Sequence, residues 1–454
     1  MSPTFRSLSI PNYRLWASGA IVSNTGTWMQ RVAQDWLVLT VLTANSGTAV
    51  GITTGLQFAP ALLLSPLAGA LADRVDRRRL LVGTQTASGL LALVLGLLVL
   101  SGVAQLWQVY VLALLLGVVS AVDAPARQAF VSELVPTDTL PNAVGLNSAS
   151  FHAGRLVGPG VAGLLIHWFG TGPVFLINAA SFAAVVISLT RMRVGELRRA
   201  PRRARGGHPV REGLAYVRHR PDILLVLVIV GMIGTFGLNF QITTALMARL
   251  VFHQGAGEYG LLGSVMAIGS LSGALLAARR ERPRLRLVVG ASIAFGLFAI
   301  IAAAMPTYEL FAVALIPVGL SSLTLMTAAN SSVQLATEPA MRGRVMALYM
   351  AVFMGGTPLG SPIIGWVGEH VGARWTIVLG GIVALATAAA VLVWLAVHDG
   401  VRIRYRQGRV ESGARLDPAA SDDTIGVHES IERDDLETVE MPSSTRSPTV
   451  ARST

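Results

Sequence analysis

The amino-acid sequence predicts an all-α polytopic membrane protein whose twelve transmembrane helices form two six-helix bundles related by pseudo-twofold symmetry. Of its 454 residues, 52% are hydrophobic and only 13% are charged, whereas about a quarter of the residues of a soluble domain are charged. Uncharged runs repeatedly reach the roughly 20 residues that a helix needs to cross a bilayer. The two halves of the chain also resemble each other at a nearly constant offset.

The apolar runs divide the chain into four parts. We expect a first six-helix bundle at 1–190, a basic cytoplasmic linker at 191–221, a second six-helix bundle at 222–397 and a disordered cytoplasmic tail at 398–454. Disorder is expected for the tail because it is acidic and then rich in Ser, Thr and Pro, with no apolar face to bury. The twelve predicted spans are 14–42, 48–72, 80–101, 105–126, 140–168, 172–190, 222–250, 258–278, 285–304, 308–336, 342–368 and 374–397.

The distribution of arginine predicts the orientation. Cytoplasmic loops of membrane proteins are enriched in basic residues, and here the basic stretches fall in alternate connections, at 74–79, 191–220, 279–286 and 342–344. Both termini are therefore expected in the cytoplasm, with the protein in the bacterial plasma membrane. The same rule accounts for the net charge of +11 without a nucleic-acid partner.

An internal repeat supports a two-bundle arrangement. The segment "GRLVGPGVAG" at 154–163 matches "GTPLGSPIIG" at 356–365, so that three glycines of the first half fall on three glycines of the second. Duplicated membrane domains are typical of secondary transporters, whose substrate site lies between the repeats near the middle of the bilayer.

Two motifs give the chain a resemblance to the major facilitator superfamily. The loop "GALADRVDRRR" at 69–79 resembles the hallmark motif A of that family, approximately G-x-L-x-D-R-x-G-R-R, although Asp76 stands where the family usually has glycine. The segment 154–163 is similar to motif C, an antiporter signature. The phrases "FRSLSIPNYRLW" and "DAPARQAF" further resemble a bacterial subgroup that includes siderophore exporters and macrolide efflux pumps.

The resemblance implies the major facilitator fold and alternating access to a central site. It also implies a latch in which motif A joins span 11 of the other bundle on the cytoplasmic side when the protein faces outward. The alternative is that the arginines only hold the loop in the cytoplasm, since each costs roughly 2.5–3.5 kcal/mol inside the bilayer. The latch residues are Gly69, Asp73, Arg74, Arg77 and Arg78, and the motif C residues, expected to pack helices closely, are Gly154, Gly158, Pro159 and Gly163.

Span 1 contains a polar stripe with helical spacing, formed by Asn24, Trp28, Arg31 and Asp35. A charged stripe inside a membrane must face the interior of the protein. Asp35 is therefore a candidate for the protonatable group that couples transport to protons, with Arg31 as its partner. Alternatively, the two side chains simply neutralise each other within the helix, because they are four residues apart.

Spans 4 and 5 contain the other charges of the first half. Asp123 and Arg127 are also four residues apart, and either snorkel to the cytoplasmic interface or form a charge relay with Asp73. Arg155 lies near the middle of span 5, one turn after His152. We expect a carboxylate partner for Arg155 in a structural or coupling role, with an anionic substrate as the alternative.

The second half has polar but mostly uncharged spans and a methionine-rich face on span 11. Methionine repacks easily and suits large, apolar or varied ligands, although such a face is also typical of a core or of a lipid-facing surface. The candidate residues for the substrate cavity are Asn24, Trp28, Gln34, His152, Asn239, Gln241, Asn330, Met350, Phe353 and Met354.

These observations predict a secondary active transporter that exports a small organic molecule, such as a drug, siderophore or metabolite, by proton antiport. An importer or facilitator of a small solute is the alternative. A polytopic membrane enzyme would need clustered carboxylates or histidines as acid and base groups, which the sequence lacks.

The sequence has no cysteine and no G-x-x-x-x-G-K-[ST] motif, so we expect no ATP site, cofactor or metal. The expected partners are the substrate, protons and the lipid bilayer, with the protein a monomer.

Overall fold

The computed structural model describes residues 3–198, 209–278, 285–339, 341–398, 404–406 and 409–411, and within them the side chains of 5–64, 71, 75–198, 213–277, 285–339 and 341–397. Apart from a two-stranded antiparallel hairpin of β1 (Arg404–Arg406) and β2 (Arg409–Glu411), the described residues are helices and their connections. The α-helices are α1 (Pro11–Leu37), α2 (Gly47–Arg74), α3 (Arg77–Leu100), α4 (Leu106–Leu134), α5 (Leu140–Phe169), α6 (Gly172–Thr190), α7 (Pro209–Arg218), α8 (Pro221–Phe236), α9 (Phe240–Leu246), α10 (Ala256–Ala278), α11 (Leu285–Ala304), α12 (Tyr308–Ala336), α13 (Arg342–His370) and α14 (Ala373–His398).

Helices cover all twelve of the predicted spans, and ten candidate spans in the described residues are long and apolar enough to cross a membrane. The chain is therefore a multi-pass membrane protein. Helices α1 and α5 are long enough but fall short in apolar content. Helix α1 carries the polar stripe with Arg31 and Asp35, and α5 carries Arg155.

Some boundaries differ from the predicted ones. Helix α4 continues to Leu134, two turns beyond the predicted end at 126, because Phe130 and Leu134 are buried in the core of the first half. The predicted span 222–250 is broken between Phe236 and Phe240. A Cβ at Gly237 would lie 2.9 Å from the ring of Phe295, so only glycine fits this break without movement of its neighbours.

The repeated glycines mark equivalent helix contacts in the two halves. A Cβ at Gly154 would lie 2.9 Å from the backbone of Asn24 in α1, and a Cβ at Gly356 would lie 2.7 Å from the backbone of Thr235 in α8. Helices α5 and α13 thus pack against the first long helix of their own halves. Helix α1 and helix α9, which follows α8, each lead into a π-helical turn, at Val38–Leu42 and at Met247–Val251.

The same two helices also contact the opposite half of the chain. Gly163 of α5 packs against α10. A Cβ at this glycine would lie 2.6 Å from the carbonyl oxygen of Ala256. Gly365 of α13 packs against the backbone of Gly47 in α2. The sequence repeat therefore corresponds to a repeat of packing.

The segments outside the long helices are only partly described. Within the predicted linker 191–221, α7 packs against α13, where the backbones of Gly213 and Arg344 are in close contact. Residues 199–208 lie outside the described part of the chain, as does the predicted tail at 398–454 apart from His398 and the β hairpin.

Candidate substrate and coupling site

The polar stripe of α1 lies on the side of that helix that faces the interior of the bundle. The opposite side, with Val22 and Met29, joins α6 in lining an open apolar groove of about 500 Å³. At 3.6 residues per turn, Arg31 lies almost diametrically opposite Val22. Arg31 and Asp35 therefore point away from this outward groove.

Asp35 makes a contact between the two halves of the protein. Its side chain is buried, and the hydroxyl group of Tyr259 in α10 donates a hydrogen bond of 3.3 Å to its Oδ2 atom. The Tyr259 ring stacks on Trp36 with centroids 5.7 Å apart. The same hydroxyl oxygen is 3.3 Å from the carbonyl oxygen of Gln241. Because a phenol has a single hydrogen to donate, Tyr259 can exchange Asp35 for this carbonyl group without moving far.

Arg31 does not form the intrahelical ion pair with Asp35 that is one of the two sequence interpretations. Its guanidinium carbon lies 4.7 Å from the ring centroid of Trp28 and 5.2 Å from that of Phe58. The Nε atom of Arg31 is buried and has no hydrogen-bond partner within the described residues. The guanidinium group of Arg31 thus lies against two aromatic rings and within electrostatic range of Asp35, without a direct ion pair.

Arg155 lies on the interior side of α5. Val157 and Leu164, on the opposite side of that helix, are each about half exposed. The guanidinium carbon of Arg155 is 5.5 Å from the ring centroid of Trp28. Among the described side chains no carboxylate pairs with Arg155, so the expected partner is not found. His152 is partly buried one turn away, beside Phe151.

Asp123 belongs to a network inside the first half. It accepts hydrogen bonds from Thr84 at 2.6 Å and from Gln85 at 2.8 Å, and it pairs with Arg127 at 3.2 Å. Asp123 is thus hydrogen-bonded to α3 and paired with Arg127 of its own helix, α4. Asp73, the partner considered for a relay, lies outside the described side chains.

The motif A residues fall into two groups. Gly69, Asp73 and Arg74 lie outside the described side chains, so the expected latch stays a prediction. Arg77 pairs with Glu133 of α4 at 2.5 Å. Arg78 donates hydrogen bonds to the carbonyl oxygens of Leu189, at 2.6 Å, and Thr190, at 3.1 Å, and so satisfies free carbonyl groups at the C-terminus of α6. Both arginines connect helices of the first half.

The candidate cavity residues have several different environments. Asn24 donates to Ser150 at 3.1 Å, which joins α1 to α5. Phe353 stacks on Tyr349, and Asn330 accepts a hydrogen bond from Gln334 at 2.6 Å. The remaining candidates are the buried Gln34, the partly buried Gln241, the buried Asn239, whose Oδ1 atom has no partner among the described residues, and Met350 and Met354, which are 47% and 40% exposed.

The two halves meet at the end of the bundle that carries the connections 43–46, 252–255 and 371–372, here named the closed end. Glu369 of α13 accepts hydrogen bonds there from the Ser46 hydroxyl at 2.7 Å and the Thr48 amide at 2.9 Å. Arg249 donates to Asn45 at 3.2 Å. The α5–α10 and α2–α13 glycine contacts and the Asp35–Tyr259 bond all lie toward this end.

Sequence reasoning missed three of the residues that shape this site. Tyr259 and Phe58 contact the span 1 stripe from other helices, and Glu133 falls beyond the predicted end of span 4. The charge of Glu133 was visible in the sequence, but its partner Arg77 is 56 residues away. No sequence signal identifies Tyr259, because its partner is 224 residues away.

Comparison with known proteins identifies the family. The profile of the transmembrane secretion effector family, a family of major facilitator transporters, matches residues 2–404. A staphyloferrin A transporter of Staphylococcus aureus is 24% identical over 84% of this chain and 95% of its own length. The multidrug efflux pump Tap of Mycolicibacterium fortuitum is 27% identical over 79% of this chain and 89% of its own length.

Solved structures support the same fold. The crystal structure of a bacterial homologue of the human lysosomal transporter Spinster, in an inward-facing and unoccupied conformation, matches with a TM-score of 0.65 and 15% identity, over 84% of this chain and 95% of that one. The family and its relatives are transporters and not enzymes. Since the family profile spans nearly the whole helical part of the chain, the protein belongs to the transmembrane secretion effector family of major facilitator transporters.

Proposed function

We propose that this protein exports a small organic molecule across the bacterial plasma membrane by proton antiport, with Asp35 as the group that carries the proton. The observation that carries the proposal is the buried Asp35–Tyr259 hydrogen bond, because it joins a carboxylate to the contact between the two halves. A carboxylate in that position links its own protonation to the opening of the contact.

The relatives support the direction of transport and the substrate type. They include a staphyloferrin A transporter, a multidrug efflux pump and a macrolide efflux protein, and we extend the export of small organic molecules from these proteins to this chain. Energy would come from the proton gradient, since moving one charge across the membrane is worth about 2.3 kcal/mol per 100 mV.

We further propose that α1 and α5 also cross the membrane, giving twelve spans in two six-helix bundles. The interior position of Arg31, Asp35 and Arg155 supports this, because polar side chains that face a bundle interior lower the mean apolar content of a helix without exposing charge to lipid. The matching glycine contacts of α5 and α13 support a pseudo-twofold relation of the bundles.

The positive-inside rule supports an orientation with both termini in the cytoplasm. The basic stretches 74–79 and 342–344 then lie inside, and the closed end faces outside. In this orientation the described contacts between the halves correspond to a protein closed outside and accessible from the cytoplasm. Rocking of the two halves would reverse this access.

The proposed proton pathway follows from these contacts. When the closed end opens, Asp35 separates from Tyr259 and its carboxylate takes a proton from water outside. Closure returns the protonated carboxyl group to the interior, where the proton is released to cytoplasmic water and substrate binds. Tyr259 then donates to the carboxylate, and to the Gln241 carbonyl group when Asp35 is withdrawn.

The test uses inside-out membrane vesicles with an acidified lumen, a panel of erythromycin, tetracycline and 1-naphthoate, and the variants Asp35→Asn and Glu309→Gln. Glu309, exposed at the start of α12, is the matched control. Wild type and Glu309→Gln should accumulate at least one probe until a protonophore is added. Asp35→Asn should lose this proton-driven accumulation but retain exchange of labelled for unlabelled probe, because binding and rocking remain.

Two results would contradict the proposal. Proton-driven accumulation by Asp35→Asn at the wild-type rate would show that Asp35 does not couple transport to protons. Movement of the probe in the same direction as the protons would instead favour the alternative of a solute importer.

A further inference from the structure

We propose that the transported substrate is an organic anion, bound through a carboxylate or a similar oxyanion by Arg31 and Arg155 beside the ring of Trp28. This inference rests on the proposed transport function and specifies its substrate class. It starts from the two interior arginines, whose guanidinium carbons lie 4.7 Å and 5.5 Å from the same indole centroid.

The two positive charges near Trp28 have one carboxylate, Asp35, within electrostatic range of Arg31, so the described side chains balance them only in part. Arg31 and Arg155 are close enough for their charges to interact, and neither forms an ion pair with a described residue. Asp35 is the nearest carboxylate on α1, but it accepts its hydrogen bond from Tyr259. The other interior carboxylates of the first half are engaged elsewhere, Asp123 with Arg127 and Glu133 with Arg77.

One buried donor of this arginine pair has no acceptor among the described residues. The Nε–H group of Arg31 is buried without a partner among the described residues, and leaving a buried polar group unpaired is costly. An arginine has five N–H donors in a planar fork that matches the two oxygens of a carboxylate. A bound oxyanion would satisfy these donors and offset the repulsion between the two cations.

The aromatic neighbours favour an organic anion over a small inorganic one. Cation–π contacts place the guanidinium group of Arg31 beside the rings of Trp28 and Phe58. Such contacts do not neutralise its charge, so its N–H groups stay available to a ligand. Phe151 lies edge-to-face against Trp28 with centroids 5.8 Å apart and is about half exposed. These rings provide an apolar surface for the carbon skeleton next to the charged group.

The test compares three probes with one carbon skeleton and different charge: anionic 1-naphthoate, neutral 1-naphthamide and cationic 1-naphthylmethylamine. Binding to the purified full-length protein in lipid nanodiscs is measured by equilibrium dialysis without any ion gradient. Wild type should bind naphthoate at least tenfold more tightly than the amide, and the amine most weakly. This ranking needs no variant and is independent of proton coupling.

Three variants then assign the preference to the proposed residues. Arg155→Gln should lower the affinity for naphthoate about tenfold and leave that for naphthamide unchanged, because a charge-assisted hydrogen bond is lost. Arg155→Lys should retain part of the affinity, since it keeps the charge but loses the fork. Arg14→Gln, which changes an exposed arginine of the same helix as Arg31, should bind all three probes like wild type.

Equal binding of naphthoate and naphthamide, preference for the amine, or no binding of naphthoate would each overturn the inference. An Arg155→Gln variant with wild-type affinity for naphthoate would do the same. These results are separable from failure of the proposed function, because a protein that selects anions in nanodiscs but shows no proton-driven accumulation would refute antiport alone. Proton-driven accumulation of erythromycin without anion selectivity would refute only this inference.

Discussion

At the scale of single residues, the hydrogen bond between Asp35 and Tyr259 joins a buried carboxylate to the opposite half of the protein. A buried carboxylate needs hydrogen-bond donors, and the described donor to Asp35 comes from the opposite half of the protein. The sequence predicted that Asp35 faces the interior, because a charged stripe cannot face lipid. It could not predict Tyr259, since the packing of distant helices decides which residue meets Asp35.

Replacement of Tyr259 by Phe should weaken the closed end. The variant keeps the ring that stacks on Trp36 but loses the hydroxyl group, and a hydrogen bond to a charged group contributes about 1.5–3 kcal/mol. We expect the equilibrium to shift toward the open state by roughly tenfold or more. The chain has no natural cysteine, so the maleimide labelling rate of a single Ala256→Cys reporter, buried at the closed end, measures this shift.

The control for this prediction is Tyr308→Phe. The Tyr308 hydroxyl group donates to the Glu258 carbonyl oxygen at 2.9 Å within the second half, so its loss should leave the labelling rate of the reporter nearly unchanged. Equal acceleration by both variants would mean that general loosening of the helices, and not the bond to Asp35, causes the effect.

At the scale of helices, glycine determines where the two halves can touch. The sequence predicted the helices because apolar runs are local features, and the spacing of its repeated glycines was visible for the same reason. It did not predict the break between Phe236 and Phe240, since the apolar pattern continues through this segment and the interruption depends on packing against Phe295. It also did not indicate which glycines contact their own half and which contact the opposite half.

Replacement of Gly260 by Ala should separate α10 from α5. The added methyl group would collide with the carbonyl oxygen of Pro159, and overpacking of this kind costs about 1–3 kcal/mol. The cost falls on the closed state, so the Ala256→Cys reporter should label roughly fivefold faster or more. Gly257→Ala, one turn away on α10, has no atom within 4 Å of the added carbon and serves as the control.

Unchanged labelling in Gly260→Ala would show that the α5–α10 contact does not hold the closed end together. An equal effect of Gly257→Ala would assign the change to helix propensity, because both substitutions replace glycine with a better helix former.

At the scale of the whole molecule, the arginines of the connections and the contacts between the halves correspond, in the proposed transport cycle, to a state closed at one end. The positive-inside rule predicts which end is cytoplasmic from composition alone. Which end is closed depends on long-range contacts such as those of Glu369 with Ser46 and Thr48. Only the folded chain reveals which of these contacts are formed together.

The most direct test of proton-linked opening is the distance across the closed end as a function of pH. Spin labels on Ala44→Cys and Val371→Cys, both exposed on connections of that end, report this distance by double electron–electron resonance in nanodiscs. We predict short and long distances whose populations change between acidic and alkaline buffer in the wild-type background and stay constant in Asp35→Asn. Populations that do not change with pH in the wild-type background, or that change equally with pH in Asp35→Asn, would contradict the account.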